Sequence, residues 1–141
     1  MRDRLRYALC GIPLLLAALA SACGGGDSDA EGTVFVFRLR GDDSSQDFRI
    51  RSSSAAFVDT ARAELTLPES SRRLAPAGSV RRGDGSHNAP WSWHLTSETL
   101  SQVHAEACDG RSSEVEADLD YWVDRLGRFC PWTAYVLREE P

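Results

Sequence analysis

A histidine beside a carboxylate is the smallest constellation that could give this chain hydrolytic chemistry, and His94 with Asp109 or Glu106 supplies one. A carboxylate that holds an imidazole in one tautomer makes it a general base. No nucleophile elbow and no glycine-rich phosphate loop accompanies the set, so nothing in the sequence completes it or implies a cofactor. The competing reading of His94 is structural, as a strand residue that satisfies a buried carboxylate. Zinc is raised by His94, His104 and Cys108, because His104 and Cys108 stand one helical turn apart. A third ligand is not evident, and Cys108 has a better partner in Cys130. Glu106, Asp109, Glu116 and Asp120 fall on two expected helices with no spacing that sets a glycosidase pair. Asp42-Asp43 and Asp84-Gly85-Ser86 lack the repeated acidic ligands and closing glutamate of a calcium loop. The expectation is no metal, no cofactor and a leaning away from catalysis.

The elements that must position these residues begin at Thr33. Phe35, Phe37 and Leu39 alternate with Val34, Val36 and Arg38, and Phe48 and Ile50 alternate with Arg49 and Arg51. Separated by Gly41-Asp42-Asp43-Ser44-Ser45, the two runs predict an antiparallel hairpin with one wet face. Ser52 to Ser54 offer N-caps for a helix over 55–67, in which Phe57, Val58, Ala61 and Leu65 form a stripe that Pro68 ends. Val80 with Arg81 and Arg82 reads as a short edge strand after a loop over 69–78. Arg72, Arg73, Arg81 and Arg82 are either a basic patch or solvated loop charge.

The stretch from Pro90 to Trp132 organises the remainder. Trp91, Trp93 and Leu95 share one face of an extended segment, as core or as an exposed aromatic platform, while Ser92 and His94 share the other. Thr96 and Ser97 are expected to cap a helix with Leu100, Val103, Ala107 and Cys108 on its buried stripe, ended by Gly110 in a left-handed conformation. Ser113 and Glu116 form the pattern of a capping box for a further helix. Val115, Leu119, Trp122 and Leu126 mark its apolar face, and Gly127 ends it. Pro131 makes a corner, 133–137 reads as a closing strand, and the charged tail frays. Together these predict an α+β fold: a small antiparallel sheet of about four to five strands packed against about three helices, with one disulfide.

The first residues read as an address. Arg2, Arg4 and Arg6 precede a short apolar run from Leu9 to Leu19, too short to span a bilayer, though an uncleaved anchor is the competing reading. Leu19-Ala20-Ser21-Ala22-Cys23 resembles the lipobox of bacterial lipoproteins, departing from it in having Ala20 where Leu is usual. The resemblance implies a signal peptide over 1–22, a diacylglyceryl group on Cys23 and an anchored, non-spanning chain. Residues 23–32, glycine-rich and acidic, form a tether to a single domain over 33–139. Gly24 follows Cys23 in place of the Asp that retains enteric lipoproteins in the inner membrane. The implied address is the bacterial cell envelope, extracytoplasmic, with the outer membrane as destination where one exists.

Charge and cysteine count narrow the partners. The chain carries −5 and no lysine, and losing three Arg and one Asp with the leader leaves −7. That balance argues against unaided nucleic-acid binding, which depends on neutralising phosphates. Cys10 leaves with the leader and Cys23 is consumed by lipid, so Cys108 and Cys130 remain to pair in an oxidising compartment, with two free thiols as the alternative.

Trp91-Ser92-Trp93-His94-Leu95, Glu106-Ala107-Cys108-Asp109-Gly110 and Cys130-Pro131-Trp132 together resemble a small domain family. It is found at the N-terminus of a slime-mould calmodulin-binding protein and in short secreted bacterial proteins. The resemblance covers Thr33 to Glu139. It implies an α+β domain with a disulfide and carries no known enzymatic activity, and Trp91, Trp93, His94, Asp109, Trp122, Pro131 and Trp132 are read as structural. Calmodulin binding is not carried over. Asp109 is expected to accept backbone amides at a corner, and to reach His94. The functional expectation is an anchored domain that binds a peptide, protein or glycan through the loops around His87 to His94 and the acidic helix. The alternative is the hydrolase using His94 with Asp109 or Glu106.

Overall fold

The computed structural model describes residues 31–102 and 106–141, with the side chain of Glu106 outside the description. The leader, Cys23, most of the tether, Val103 and His104 lie outside the described residues. The alternating aromatics form β1 (Thr33–Leu39) and β2 (Phe48–Ser52), paired antiparallel with Phe35 opposite Ile50 and Phe37 opposite Phe48. Val36, expected on the wet face, is fully buried between its cross-strand neighbours Arg49 and Arg138. Long arginine stems cover apolar surface while their heads reach water, which explains how a face of this composition hides a valine. Gly32, read as the end of the tether, lies where a Cβ would meet the Arg51 side chain at 2.9 Å, so it already packs on β2.

Ser54 caps α1 (Ala55–Leu65) through the Phe57 N–H, and the helix lays Phe57 on Phe35 and Phe37 with ring centroids 6.1 and 6.3 Å away. The buried Glu64 of this helix accepts the N–H groups of Arg73 and Leu74 at 2.7 and 3.1 Å. That anchor fixes the start of β3 (Ala75–Arg82), which is eight residues long and central, in place of the short edge strand expected. Its first half, Ala75 to Gly78, is buried, and burial overrides the loop-like composition of Pro76 and Gly78.

Residues 93–101 form β4 (Trp93–Ser101): the extended segment expected up to Leu95 continues as strand in place of the helix expected to start after Thr96 and Ser97. Thr96 and Ser97 look like helix caps locally, but Thr96 pairs with Ser79 and Thr99 with Ala77 on β3. The register shift between Ala77 and Ser79, with Ser97 at φ +52°, is a bulge that keeps the strand in register. Only a single 3₁₀ turn (Glu106–Cys108) remains of the helix among the described residues. Gly110 is not left-handed. A Cβ there would meet Glu114 Oε2 at 2.9 Å and the Trp122 ring at 3.1 Å, so its service is close approach.

α2 (Ser112–Ala117) starts one residue before the expected cap. Glu114 accepts the Arg111 N–H, and the Gln46 side chain, from the β1–β2 connection, accepts the Ser113 N–H. The expected long helix breaks at Asp118, whose carboxylate accepts the Tyr121 N–H and opens a π-helical segment (Asp120–Leu126). Gly127 ends it in the left-handed region at φ +70°, its N–H bonding to the Trp122 carbonyl. β5 (Arg128–Phe129) and β6 (Ala134–Glu140) follow. The tail is ordered, with Glu139 paired to Arg62 and Glu140 to Arg49 and Arg138.

The fold is α+β: among the described residues, six strands in two antiparallel sheets, ordered β2-β1-β6 and β4-β3-β5, with two α-helices and one π-helical segment. In place of the single sheet of four to five strands expected, β3 forms a second sheet by recruiting β4 and β5 to itself. The sheets share one core, in which Phe48 touches Trp93 and Phe129 across them at 5.9 and 5.7 Å. Cys108 and Cys130 are bridged, their Cα atoms 5.1 Å apart.

Candidate functional site

A cleft of about 220 Å³ opens between the end of β2, the turn over 83–88 and β4. Glu31, Arg51, His87, His94 and Glu98 give it its chemistry. The turn is built by Asp84, whose carboxylate accepts the Ser86 N–H, and by Gly85 in the left-handed region at φ +58°. A Cβ on Gly85 would lie 2.8 Å from both imidazoles, so only glycine lets the two rings close over it. Arg51 holds the turn from the other side, donating to Ser86 Oγ at 2.9 Å and to the Gly85 carbonyl at 3.3 Å.

The two histidines are oriented alike. His87 Nδ1 lies 2.6 Å from the Gly85 carbonyl, and His94 Nδ1 lies 2.7 Å from the Gly83 carbonyl. A carbonyl oxygen only accepts, so each Nδ1 carries a proton. The rings meet edge-on with centroids 6.0 Å apart, and His87 Nε2 is buried with no partner among the described residues. Burial pushes the His87 pKa below its ordinary 6.5; the Gly85 carbonyl opposes that, and the charges of Arg51 and His94 reinforce it.

Asn88 ties this turn to both sheets. Fully buried, it accepts the Arg49 N–H from β2 at 2.6 Å and donates to the Trp93 carbonyl of β4 at 2.8 Å. Sequence reasoning passes over Asn88 and Arg51, because an asparagine in a turn and an arginine on a strand face are the ordinary content of such places. Nothing in a single sequence marks them.

The other singled-out residues are dispersed. Trp93 is fully buried and Trp91 half-buried against it, with its indole N–H donated to the Asp47 carbonyl at 2.8 Å, so these rings are core and no platform. Trp122 packs edge-on against Phe129 at 5.5 Å. Pro131 is buried and its carbonyl closes a turn to Ala134, whereas Trp132 is 42% exposed. Asp109 accepts a backbone amide as expected, but from Trp132, 23 residues on, at 3.0 Å, in place of the expected donors of its own turn. It does not join His94: His94 stands opposite Arg81 on β3, while the disulfide packs on Ala77, four residues or about 13 Å along that strand. Cys108 is spent in the disulfide and so is not a thiolate ligand for zinc; His104 lies outside the described residues. Two of the four arginines are engaged within the fold: Arg72 donates to the Leu67, Val136 and Leu137 carbonyls, and Arg82 to Asp120 and Asp124, while Arg73 and Arg81 are exposed.

Fold and site together define a small disulfide-bonded α+β domain with a polar cleft beside a sheet edge. The family model of the BP-74 N-terminal domain matches residues 31–141, and the chain belongs to that family. No curated protein and no solved structure matches the chain.

Proposed function

We propose that the chain is a lipid-anchored, extracytoplasmic binding module of the bacterial cell envelope. Its ligand, a peptide, protein or glycan, sits in the cleft walled by the 83–88 turn and β4. The observation that carries the reading is the cleft itself: hydrogen-bonding side chains from β2, the turn and β4 converge there on a pre-formed concavity. Arg51 and Gly85 hold its walls. The disulfide supports an oxidising compartment, and the pattern ending at Cys23 supports the anchor. The cleft lies beside Glu31, close to where the tether joins, so an anchored chain would hold its site near the membrane surface.

The test is to probe peptide and glycan arrays with the full chain and with Glu98→Arg, which reverses a charge on the cleft wall. The reading expects a defined ligand class bound by the parent and lost in the variant, with circular dichroism of the two unchanged. Ligands retained equally by Glu98→Arg, or no ligand at all, would contradict it. Cleavage of arrayed ligands by the parent would make the chain an enzyme.

A further inference from the structure

The cleft is the polar half of a longer groove. A second hollow of about 230 Å³, between α1 and β4, is lined by Phe57 and Thr60 on one side and residues 98–100 on the other. The two hollows meet at Glu98. Along β4 the lining residues are consecutive, 94–98 in the first hollow and 98–100 in the second. A hollow on a sheet face would be lined by every second residue, because side chains alternate between faces. Consecutive lining means that the groove follows the edge of the strand. Among the described residues β4 pairs as a strand with β3 alone; Asn88 takes the Trp93 carbonyl at the start of its outer side, and the groove runs along the rest of that edge for about 20 Å.

The charges of the groove select its occupant. Glu31 and Glu98 set two carboxylates against one guanidinium, Arg51, which is engaged with the 83–88 turn. The His87 and His94 Nδ1 atoms are spent on the Gly85 and Gly83 carbonyls, and His87 Nε2 is buried, so the two carboxylates set the charge of this end. This end therefore asks for a donor or a cation. The other end offers Phe57 and Leu100. The surrounding domain is acidic as well.

Resting on the binding reading above, we propose that the ligand is an extended peptide that adds to β4 as an antiparallel strand. It places a basic side chain between Glu31 and Glu98 and apolar side chains, at alternate positions toward its N-terminal side, over Phe57 and Leu100. Main-chain bonds to β4 supply affinity, and the two hollows supply specificity. Antiparallel addition puts the basic residue toward the peptide's C-terminus, because the acidic hollow lies at the N-terminal end of β4.

Fluorescence polarisation of a labelled acetyl-Thr-Leu-Thr-Leu-Thr-Arg-Thr-amide against the full chain tests this. Two further versions are N-methylated on alternate amides, one set in each phase. Strand addition loses affinity about tenfold or more when the methylated edge faces β4, and keeps it when the other edge is methylated. Replacing the peptide's Arg with Glu weakens binding about tenfold as well. Equal affinity for both methylated versions, or for the Glu version, overturns the proposal. If no peptide binds while a glycan is held in a Glu98-dependent manner, the strand proposal falls and the binding reading stands. If neither binds, both fall. A stable dimer that buries β4, seen by sedimentation, also overturns it, because the edge would then belong to a second copy.

Discussion

Asn88 holds Arg49 N–H and Trp93 C=O from two different sheets, at 2.6 and 2.8 Å, where no solvent reaches. Asn88→Ala would leave both backbone groups buried and unbonded, at about 1–3 kcal/mol each. A loss of about 3 kcal/mol is expected, read as a lower urea midpoint with an unchanged slope. His87 sets a pH dependence. Its pKa is lowered in the fold, by burial first, while Arg51, His94 and Asp84 face it and the Asp84 charge acts in the opposite sense. The unfolded chain therefore takes up the proton first, and stability present above 6.5 is lost as pH falls through the lower folded value. His87→Asn, which keeps a donor near Nδ1, should flatten the fall in melting temperature below that pH. An unchanged profile would remove His87 from the account. The site is only partly legible at this scale. His94 and the stretch from His87 stand out in the sequence, but Asn88 and Arg51 act through partners 39 and 35 residues away, which no local pattern encodes.

At the scale of elements, the disulfide joins the turn at Cys108 to the end of β5, closing a loop with a separation of 22 residues. Removing it by Cys108→Ser with Cys130→Ser is expected to cost about 3 kcal/mol. Non-reducing peptide mapping should recover the linked fragments, and two alkylatable thiols would contradict the bridge. Gly110→Ala pushes a Cβ into Glu114 and Trp122, which must shift together, and a loss of about 1–3 kcal/mol in chemical denaturation is expected. β1, β2 and α1 are readable because their signals are local: aromatic alternation, a serine cap and a proline stop. The second half of β4 reads as a helix because Thr96, Ser97 and Glu98 carry helix-cap chemistry, while the pairing that makes them a strand comes from β3. β3 in turn is hidden by Pro76 and Gly78, and is fixed by Glu64 from α1.

For the whole molecule, the two sheets, α1 and the π-helical segment close around one aromatic core and leave the β4 edge beside the cleft. Anchoring extends the account beyond the described residues. Intact mass of the membrane fraction should give a chain beginning at Cys23 with acyl mass added, and Cys23→Ser should abolish the addition. A different N-terminus without acyl mass would contradict that. The most direct measurement of the central claim is ¹H–¹⁵N shift mapping of the full chain, titrated with the ligand selected on the arrays. Binding at the cleft predicts shifts at 51–53, 85–87 and 94–100, with the Asp109 and Trp132 amides unmoved. Shifts concentrated around Tyr121 and the exposed Trp132, with the cleft amides silent, would place the site elsewhere and contradict the account.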